Sequence, residues 1–328
     1  MIKFIIRRLV LAVFIVFFGA LIVYSIMRCM PTTFVERMAR QLSSLPGAKS
    51  YKELLNQLNV QYGFDSGIIP GFLKWFGEFA KGNFGYSWKY SQSVVSKFNA
   101  VVWYSVIINI ITFIIQTVVC IPLGIIAARK QYSRTDYTIT VVSLMGISLP
   151  TFFLATLLKY VFSIKLGWFD LYGLTGRMHE LMTPFQKTMD VGYHMVLPVL
   201  TLMILSIGGL MRYTRTNMLE VLSADYIRTA RAKGLPERAV INKHAFRNTL
   251  IPLVSYMSYI IPNMFGGAMI TEILFQIPGI GNTSYQAIIQ GDIPFTMFYI
   301  VFIEVLTQFS LLLADVMYAV VDPRVRIN

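Results

Sequence analysis

Three carboxylates stand in or beside long apolar stretches, where ionisable side chains are unusual. Glu272 closes one stretch, and Glu304 and Asp315 interrupt another. At the centre of a membrane helix a charged side chain costs roughly 2.5–3.5 kcal/mol, so it usually serves a function or has a partner. Glu304, the deepest, is a candidate to attract a cationic group, and Glu272 a candidate for an outer gate. The alternative for Glu304 is an interior residue, paired or protonated, and Asp315 is expected to be structural.

Enzymatic, redox and metal chemistry find little support among the other polar residues. The sequence places no nucleophile–base pair and no pair of carboxylates at the same depth in the membrane. His179, His194 and His244 are far apart and match no metal-ligand spacing. Cys29 and Cys120 lie in or beside apolar runs and imply neither a disulfide framework nor a metal site. We therefore predict that the chain is not an enzyme and binds no metal.

The composition indicates a membrane protein. Mean hydropathy is +0.60, 55% of the residues are hydrophobic and 14% are charged, whereas soluble domains carry about 25% charged residues. The net charge of +13 is compatible with nucleic-acid binding in principle. In a membrane protein, however, basic residues collect on the cytoplasmic side, so no nucleic-acid partner is predicted.

Six apolar runs are long enough to cross a bilayer, which needs about 20 residues of helix. Because backbone polar groups in lipid must be paired internally, the runs are predicted to be helices. The first run lacks a small-residue cleavage site and is predicted to be an uncleaved helix rather than a signal peptide. Pro150 and Pro262 are expected to kink their helices. The six runs are Leu9–Met27, Val101–Ala128, Tyr137–Leu158, Val191–Met211, Asn248–Thr271 and Ile293–Val321.

The distribution of lysine and arginine predicts the topology. Basic residues gather at both termini and after the second and fourth runs, which fall on one side if six helices alternate. By the positive-inside rule that side is the cytoplasm, so both termini are predicted to be cytoplasmic. The connection from Gln276 to Pro294, on the opposite side, contains no lysine or arginine.

These observations predict three parts. Residues 1–30 form the first transmembrane helix, residues 31–100 a small external cap, and residues 101–328 a core of five transmembrane helices. The cap is too polar to span and too aromatic to be disordered. Within it, Lys49–Asn59 and Ile69–Phe79 are predicted helices, and Gly82-Asn83-Phe84-Gly85 is a predicted turn.

The core includes a basic, strongly helical segment, the cytoplasmic block, at residues 220–250. Ser223 is a predicted N-cap, Tyr226–Lys233 a short helix, Gly234 a C′ residue, and Pro236 the first turn of a second helix that ends near Leu250. An interfacial helix on anionic lipid is the alternative. The short helix lacks a large apolar face, which favours docking of a protein.

The block resembles the cytoplasmic motif of ABC-importer permeases, which reads E-A-A, three residues, G, nine residues, I-x-L-P. With Gly234 on the motif glycine, Arg228-Thr229-Ala230 stands at E-A-A and His244-Ala245-Phe246-Arg247 at I-x-L-P, so only Ala230 and Gly234 match. The strings DYIRTARAKGL and HAFRNTLIP are more similar to the dipeptide, oligopeptide and nickel permeases. In that subgroup the glutamate is commonly absent and arginine replaces the proline.

Three further segments carry the same resemblance in the same order. The stretch 82–87, GNFGYS, is similar to the family's G-D-L-G-x-S, and 275–281, FQIPGIG, to its F-x-x-P-G-x-G. The ending from Asp315 to Asp322-Pro323-Arg324 resembles D-x-x-Y-x-x-x-D-P-R. The chain is most similar to the first permease subunit of an oligopeptide or dipeptide importer.

The resemblance implies an all-α polytopic protein with the ABC type I importer fold in a prokaryotic cytoplasmic (inner) membrane. It also implies a second homologous permease, two ATP-binding subunits and an external solute-binding protein, besides membrane lipid. The chain has no G-x-x-x-x-G-K-[ST] loop, so ATP and Mg²⁺ would bind the partner ATPases, and no cofactor is expected here. The residues implied in ATPase coupling are Asp225, Tyr226, Arg228, Thr229, Ala230, Arg231, Lys233 and Gly234.

The sequence does not specify the solute. Peptides are the favoured solute, and Glu304 and Glu272 are the candidate residues of the solute path. Nickel chelates or glutathione are alternatives within the family. An ATP-independent secondary transporter, with the cytoplasmic block as a lipid anchor, is the alternative outside it.

Overall fold

The fold is that of a computed structural model, which describes residues 2–30, 33–258 and 260–321. The predicted terminal motif Asp322-Pro323-Arg324 lies outside the described residues. The described part is almost entirely helical, with one two-stranded hairpin of β1 (Tyr86–Ser87) and β2 (Gln92–Ser93).

The helices, in chain order, are α1 (Ile2–Arg28), α2 (Phe34–Ser43), α3 (Tyr51–Gln61), α4 (Ile68–Ala80), α5 (Val94–Arg129), α6 (Arg134–Ser148), α7 (Thr151–Leu158), α8 (Pro184–Leu222), α9 (Asp225–Ala232), α10 (Glu237–Ala239), α11 (Phe246–Ser258), α12 (Ile260–Gly266), α13 (Met269–Phe275), α14 (Ile280–Ile289) and α15 (Ile293–Val321). Two π-helical stretches, Lys159–Lys165 and Val240–Ala245, continue α7 and α10, and a 3₁₀ turn covers His179–Leu181.

Among the described residues, four helices are long and apolar enough to cross a membrane, and the count rises to six if each of two bent pairs is one span. The four are Phe4–Arg28, Val94–Arg129, Pro184–Leu222 and Ile293–Met317. The bent pairs are Arg134–Ser148 with Thr151–Lys165, and Ile260–Phe275 with Ile280–Ile289. The six predicted runs agree with the upper number.

The third predicted run is not one straight helix, because it bends by 101° between α6 and α7. Leu149 has an extended backbone, with φ −81° and ψ 131°, and Pro150 follows it as the N-cap of α7. A proline disfavours the helical conformation of the residue before it and cannot donate a backbone hydrogen bond. The predicted kink at Pro150 is therefore confirmed.

The fifth predicted run, Asn248–Thr271, is wrong as a continuous helix. It breaks after α12, where Gly267 has φ +72° and lies against the backbone of Gly281. The predicted connection Gln276–Pro294 also contains a helix, α14. The hydrophobic pattern marked the apolar segments, but a left-handed glycine ends a helix regardless of the hydrophobicity around it.

Contacts divide the chain into two units, of which the first comprises Met1–Trp103 and Thr283–Gln308. Both helices predicted in the cap segment are confirmed as α3 and α4. Ser50 begins α3 with a reciprocal capping box to Glu53. Phe72 of α4 is buried beside Tyr24 of α1. The segment is thus ordered, and its external location stays a prediction.

The second unit comprises Tyr104–Asn282 and Phe309–Asn328, and α6 crosses α8 closely within it. A Cβ at Gly208 would meet the Ile147 side chain and the Ser143 carbonyl, and a Cβ at Gly146 would meet a carbonyl of α8. Small residues allow such close approach of membrane helices. The Arg215 guanidinium donates two hydrogen bonds of 2.7 Å to the Asp136 carboxylate across the same helix pair.

Candidate functional site

The cytoplasmic block forms a short helix, a glycine bend and a longer helix, as the sequence predicts, but its first cap differs. Ser223 is the C-cap of α8, and its hydroxyl donates to the Glu220 carbonyl. Ala224 is the N-cap of α9 and makes no side-chain cap bond. The predicted N-cap at Ser223 is wrong because α8 runs on to Leu222 and uses the serine to close its own last turn.

Gly234 takes the left-handed conformation, with φ +76°, and its amide donates to the Arg231 carbonyl at 2.9 Å. The predicted C′ glycine is therefore confirmed. Pro236 is the N-cap of α10, and the helix that follows continues through the π-helical stretch into α11. It thus extends to Ser258, beyond the predicted end near Leu250.

The inner side of α9 is anchored in the second unit. Ile227 and Ala230 are buried together with Met218 of α8 and with Val240 and Ile241 of the π-helical stretch. Ala230 therefore faces the core, whereas the other candidate coupling residues are exposed: Asp225, Tyr226, Arg228, Thr229, Arg231, Lys233 and Gly234. The geometry gives α9 a fixed inner side and a polar, accessible outer side.

A cleft of about 410 Å³ lies beside the glycine bend and is lined by residues that include Arg129, Gln131, Ser223, Arg231 and Glu237. The Arg231 guanidinium donates to both carboxylate oxygens of Glu237, at 3.2 and 2.9 Å, and so joins the helices on the two sides of Gly234. This hydrogen bonding lowers the pKa of Glu237 and raises that of Arg231.

Breaking the Arg231–Glu237 pair is expected to have a small effect. Both side chains are about half exposed, and exposed ion pairs contribute roughly 0.2–1 kcal/mol. Because the pKa of Glu237 is lowered, its contribution is present above the ordinary glutamate value of about 4.3 and is lost as the pH falls below it. A double-mutant cycle with Arg231→Gln and Glu237→Gln, read by thermal unfolding at neutral and acidic pH, measures the coupling. A coupling above about 2 kcal/mol would contradict the exposed geometry.

Glu272 does not lie open to a path but is buried in a hydrogen-bond network within the second unit. Its Oε1 accepts from the Ser105 hydroxyl at 2.7 Å and the Ala268 amide at 2.9 Å, and its Oε2 accepts from the Asn282 amide at 2.8 Å. Gly279 packs directly against the carboxylate. The geometry therefore favours a structural role, and a place for Glu272 in an outer gate or solute path stays an untested prediction.

This arrangement explains the motif FQIPGIG at 275–281. A Cβ at Gly279 would overlap the Glu272 carboxylate, and a Cβ at Gly281 would meet the backbone of Met269. The Ile280 amide donates to the Ser105 hydroxyl, which itself donates to Glu272. The glycines let the loop close on the acidic residue.

Glu304 lies in the first unit, half-buried on α15, with its carboxylate against Gly19 of α1. Within the described residues no hydrogen bond or ion pair of Glu304 is present. The contact with Gly19 fits an interior residue packed on a neighbouring helix. A role in solute contact stays a prediction.

Asp292 is a second buried acid of the first unit, and the sequence analysis did not single it out. Its carboxylate accepts from the Ser87 hydroxyl and from the amides of Trp88, Lys89 and Phe295. Ser87 ends the motif GNFGYS, so this acid holds the hairpin to the start of α15. The charge of Asp292 just before an apolar run is a signal that could have been read, but its partner is 205 residues away in sequence.

Two histidines that are far apart in sequence meet around Asp190. His179 Nδ1 lies 2.6 Å from Asp190 Oδ2, and His194 Nδ1 lies 3.3 Å from Asp190 Oδ1. His194 Nε2 also contacts Asp170. These contacts fasten the segment between α7 and α8 to the start of α8. The part of the chain that the structure describes holds no group of three or more His, Cys, Asp or Glu residues arranged to bind a metal ion.

The fold and the block define a multi-pass, all-α membrane protein with a glycine-bent helix pair outside its apolar helices. Residues 120–327 match the family described as the inner membrane component of binding-protein-dependent transport systems. The chain belongs to this family, and the resemblance to ABC-importer permeases is confirmed. It is thus a permease component of a transport system.

The matches to the curated relatives extend over most of this chain and most of each relative. The oligopeptide transport system permease protein AppB of Bacillus subtilis is 37% identical over 82% of this chain and 84% of its own. OppB of Salmonella typhimurium, also an oligopeptide transport system permease protein, is 31% identical over 99% and 100%. A putative peptide transport system permease protein of Brucella abortus is 32% identical over 86% and 88%.

Proposed function

We propose that this chain is a transmembrane subunit of an ATP-driven importer that moves di- or oligopeptides across a prokaryotic cytoplasmic membrane. The names of the relatives support the peptide cargo, since each describes an oligopeptide or peptide permease. Nickel chelates and glutathione are alternative cargoes. Both termini lie in the cytoplasm in this proposal, in keeping with the positive-inside rule.

The observation that carries the proposal is the two-sided geometry of α9. Its inner residues Ile227 and Ala230 are buried against the long helix α8, while its outer residues are polar and exposed. A helix fixed on one side and accessible on the other is suited to sit in a cleft of an ATPase. Closure of the ATPases around ATP would move α9 and the helices packed on it, giving alternating access between two packings.

The assembly that we propose contains a second homologous permease, two ATP-binding subunits and an external solute-binding protein. The ATPases hold ATP and Mg²⁺, so this chain is not an enzyme and needs no cofactor of its own. The exposed residues expected to meet the ATPase are Asp225, Tyr226, Arg228, Thr229, Arg231, Lys233 and Gly234.

Purification and reconstitution test the proposal. A tagged chain, expressed with the neighbouring reading frames of its operon, is expected to co-purify with ATPase subunits. Proteoliposomes of the complex are expected to take up peptide only with ATP and the solute-binding protein. Peptide uptake driven by an ion gradient without ATP would favour a secondary transporter instead.

Uptake of peptides of different charge tests Glu304. If its carboxylate attracts a cationic group, Glu304→Gln should lower uptake of a cationic peptide several-fold relative to a neutral peptide of the same length. If Glu304 only packs on Gly19, both rates should change equally. Because of this packing, we expect Glu304→Gln to change the uptake of both peptides by the same factor relative to the original chain. Initial uptake rates into the same kind of proteoliposomes measure this.

A further inference from the structure

A cavity of about 250 Å³, lined by both polar and apolar side chains, opens within the second unit between α5, α8, α11 and α12. Asn109, Thr112 and Gln116 of α5 are spaced i, i+3 and i+7, which places them on one face of the helix. Ser206, Tyr256 and Asn263 contribute from the other helices, and no charged residue among those that the structure describes lines the cavity.

Several polar groups of this cavity retain hydrogen-bonding capacity. The Asn109 Nδ2 donates to the carbonyls of Asn263 and Met264, at 3.4 and 3.2 Å, and the Gln116 Nε2 donates to the Ser206 carbonyl at 3.1 Å. Among the residues that the structure describes, the side-chain oxygens of Asn109 and Gln116 accept no hydrogen bond. In the same part of the chain, the Asn263 amide and the Tyr256 hydroxyl make none.

The position of the cavity suggests that its polar groups contact solute. Asn109 and Gln116 belong to α5, which is long and apolar enough to span a membrane, and Asn263 belongs to a bent helix pair that passes the same test as one span. An unpaired polar group in such a helix is costly. Polar groups at membrane depth usually face a water-filled or solute-filled space. The cavity also adjoins α12, whose helix breaks at Gly267, and interrupted membrane helices commonly border substrate sites.

We propose that this cavity binds the main chain of the transported peptide, an inference that rests on the proposed function. Its amides and hydroxyls both donate and accept, which matches the N–H and C=O groups of a peptide backbone. Because no charge lines the cavity, it binds peptides without selecting the charge of their side chains. The main selectivity for side chains then lies elsewhere in the importer.

Site-directed trapping tests the location. In a background with Cys29→Ser and Cys120→Ala, which removes both native cysteines, Asn263→Cys and Asn109→Cys are compared with Thr156→Cys. Thr156 lies exposed on α7 and its hydroxyl bonds its own helix. A peptide whose single cysteine carries a thiopyridyl leaving group, supplied with the solute-binding protein and ATP, is expected to form a mixed disulfide at 263 and 109 but not at 156.

The outcomes separate this inference from the proposed function. Trapping at 156 alone, or at none of the three while the complex imports peptide, would overturn the cavity as the site. If the reconstituted complex imports no peptide at all, the proposed function fails and the inference fails with it. Import of peptide by the cysteine-free complex is therefore measured first.

Uptake kinetics test the chemistry of binding. Gln116→Leu and Asn263→Leu each remove polar groups of the cavity, and each should lower uptake of cationic, anionic and neutral peptides alike by about tenfold, the usual effect of an unpaired buried partner. Asn263→Leu breaks no side-chain hydrogen bond of the described residues, so it remains informative if Gln116→Leu assembles poorly. Thr156→Val should change nothing. Unchanged uptake by both leucine variants, or a loss for one charge class only, would refute main-chain recognition.

Discussion

Replacing Gly234 by valine is expected to lower ATP-dependent uptake by at least tenfold while the protein still inserts into the membrane. Gly234 holds φ at +76° between α9 and α10. The left-handed conformation costs an L-residue roughly 1–2 kcal/mol, and a β-branched residue is a clear outlier there. The bend must therefore shift, and the exposed side of α9 turns away from the position in which an ATPase would meet it.

The space around Gly234 makes a sharp control possible. Among the residues that the structure describes, no atom outside its two chain neighbours lies within 4 Å of a Cβ built on this glycine. The penalty for valine therefore comes from the backbone and not from a clash. Asparagine tolerates the left-handed conformation, and Gly234→Asn should keep most of the uptake. Both variants are compared in proteoliposomes for uptake and for peptide-stimulated ATPase activity. Equal, near-normal rates for Gly234→Val and the original chain would refute the role of the bend.

Gly234 also shows what could be read from the sequence alone. A glycine after a run of helix formers, with a proline two residues later, specifies a C′ residue by local sterics, and the structure confirms it. Pro150 likewise acts on its own neighbour, so its kink was predictable. Four of the six predicted runs are continuous long helices in the structure, and they were predictable because lipid requires helices of a minimum length. Ser223 shows where prediction from sequence fails. A serine between two helices can cap the end of the first or the start of the second, and the sequence does not decide between them.

The roles of the buried acids could not be read in the same way. Glu272 and Asp292 each accept hydrogen bonds from segments far along the chain: Ser105 is 167 residues from Glu272, and Ser87 is 205 residues from Asp292. Hydrophobic periodicity gives the depth of a carboxylate in a helix but not its partner. Glu272 was therefore a candidate for an outer gate, and Asp292 was not singled out.

Both acids make the family motifs physically understandable. The end of the motif GNFGYS bonds Asp292 through Ser87, and the motif FQIPGIG packs against the carboxylate of Glu272 through Gly279. Irregular backbone buried away from water needs such partners, because an unpaired buried polar group costs about 1–3 kcal/mol. Both acids are buried and are thus expected to matter first for folding.

Removing the carboxylate of Glu272 is expected to destabilise the protein strongly. Glu272→Leu should be the least stable variant, Glu272→Gln should be intermediate, and the original chain should be the most stable. Leucine leaves three donors without their acceptor: the Ser105 hydroxyl and the amides of Ala268 and Asn282. An orphaned buried donor costs about 1–3 kcal/mol, so the loss should reach about 3 kcal/mol or more. Glutamine keeps one oxygen but sets its NH₂ group against an N–H donor, and should cost about 1–3 kcal/mol.

Thermal unfolding of the purified complex in detergent, with the yield of monodisperse protein, measures this order. Glu180→Gln is the matched control, because the Glu180 side chain is 90% exposed and pairs only at the surface with Lys187; it should change stability by less than about 1 kcal/mol. A purely structural Glu272 predicts that the Gln variant, once assembled at low temperature, still transports peptide at a near-normal rate. Normal stability with abolished uptake would instead return Glu272 to the solute path, since a gate residue is needed for passage and not for folding.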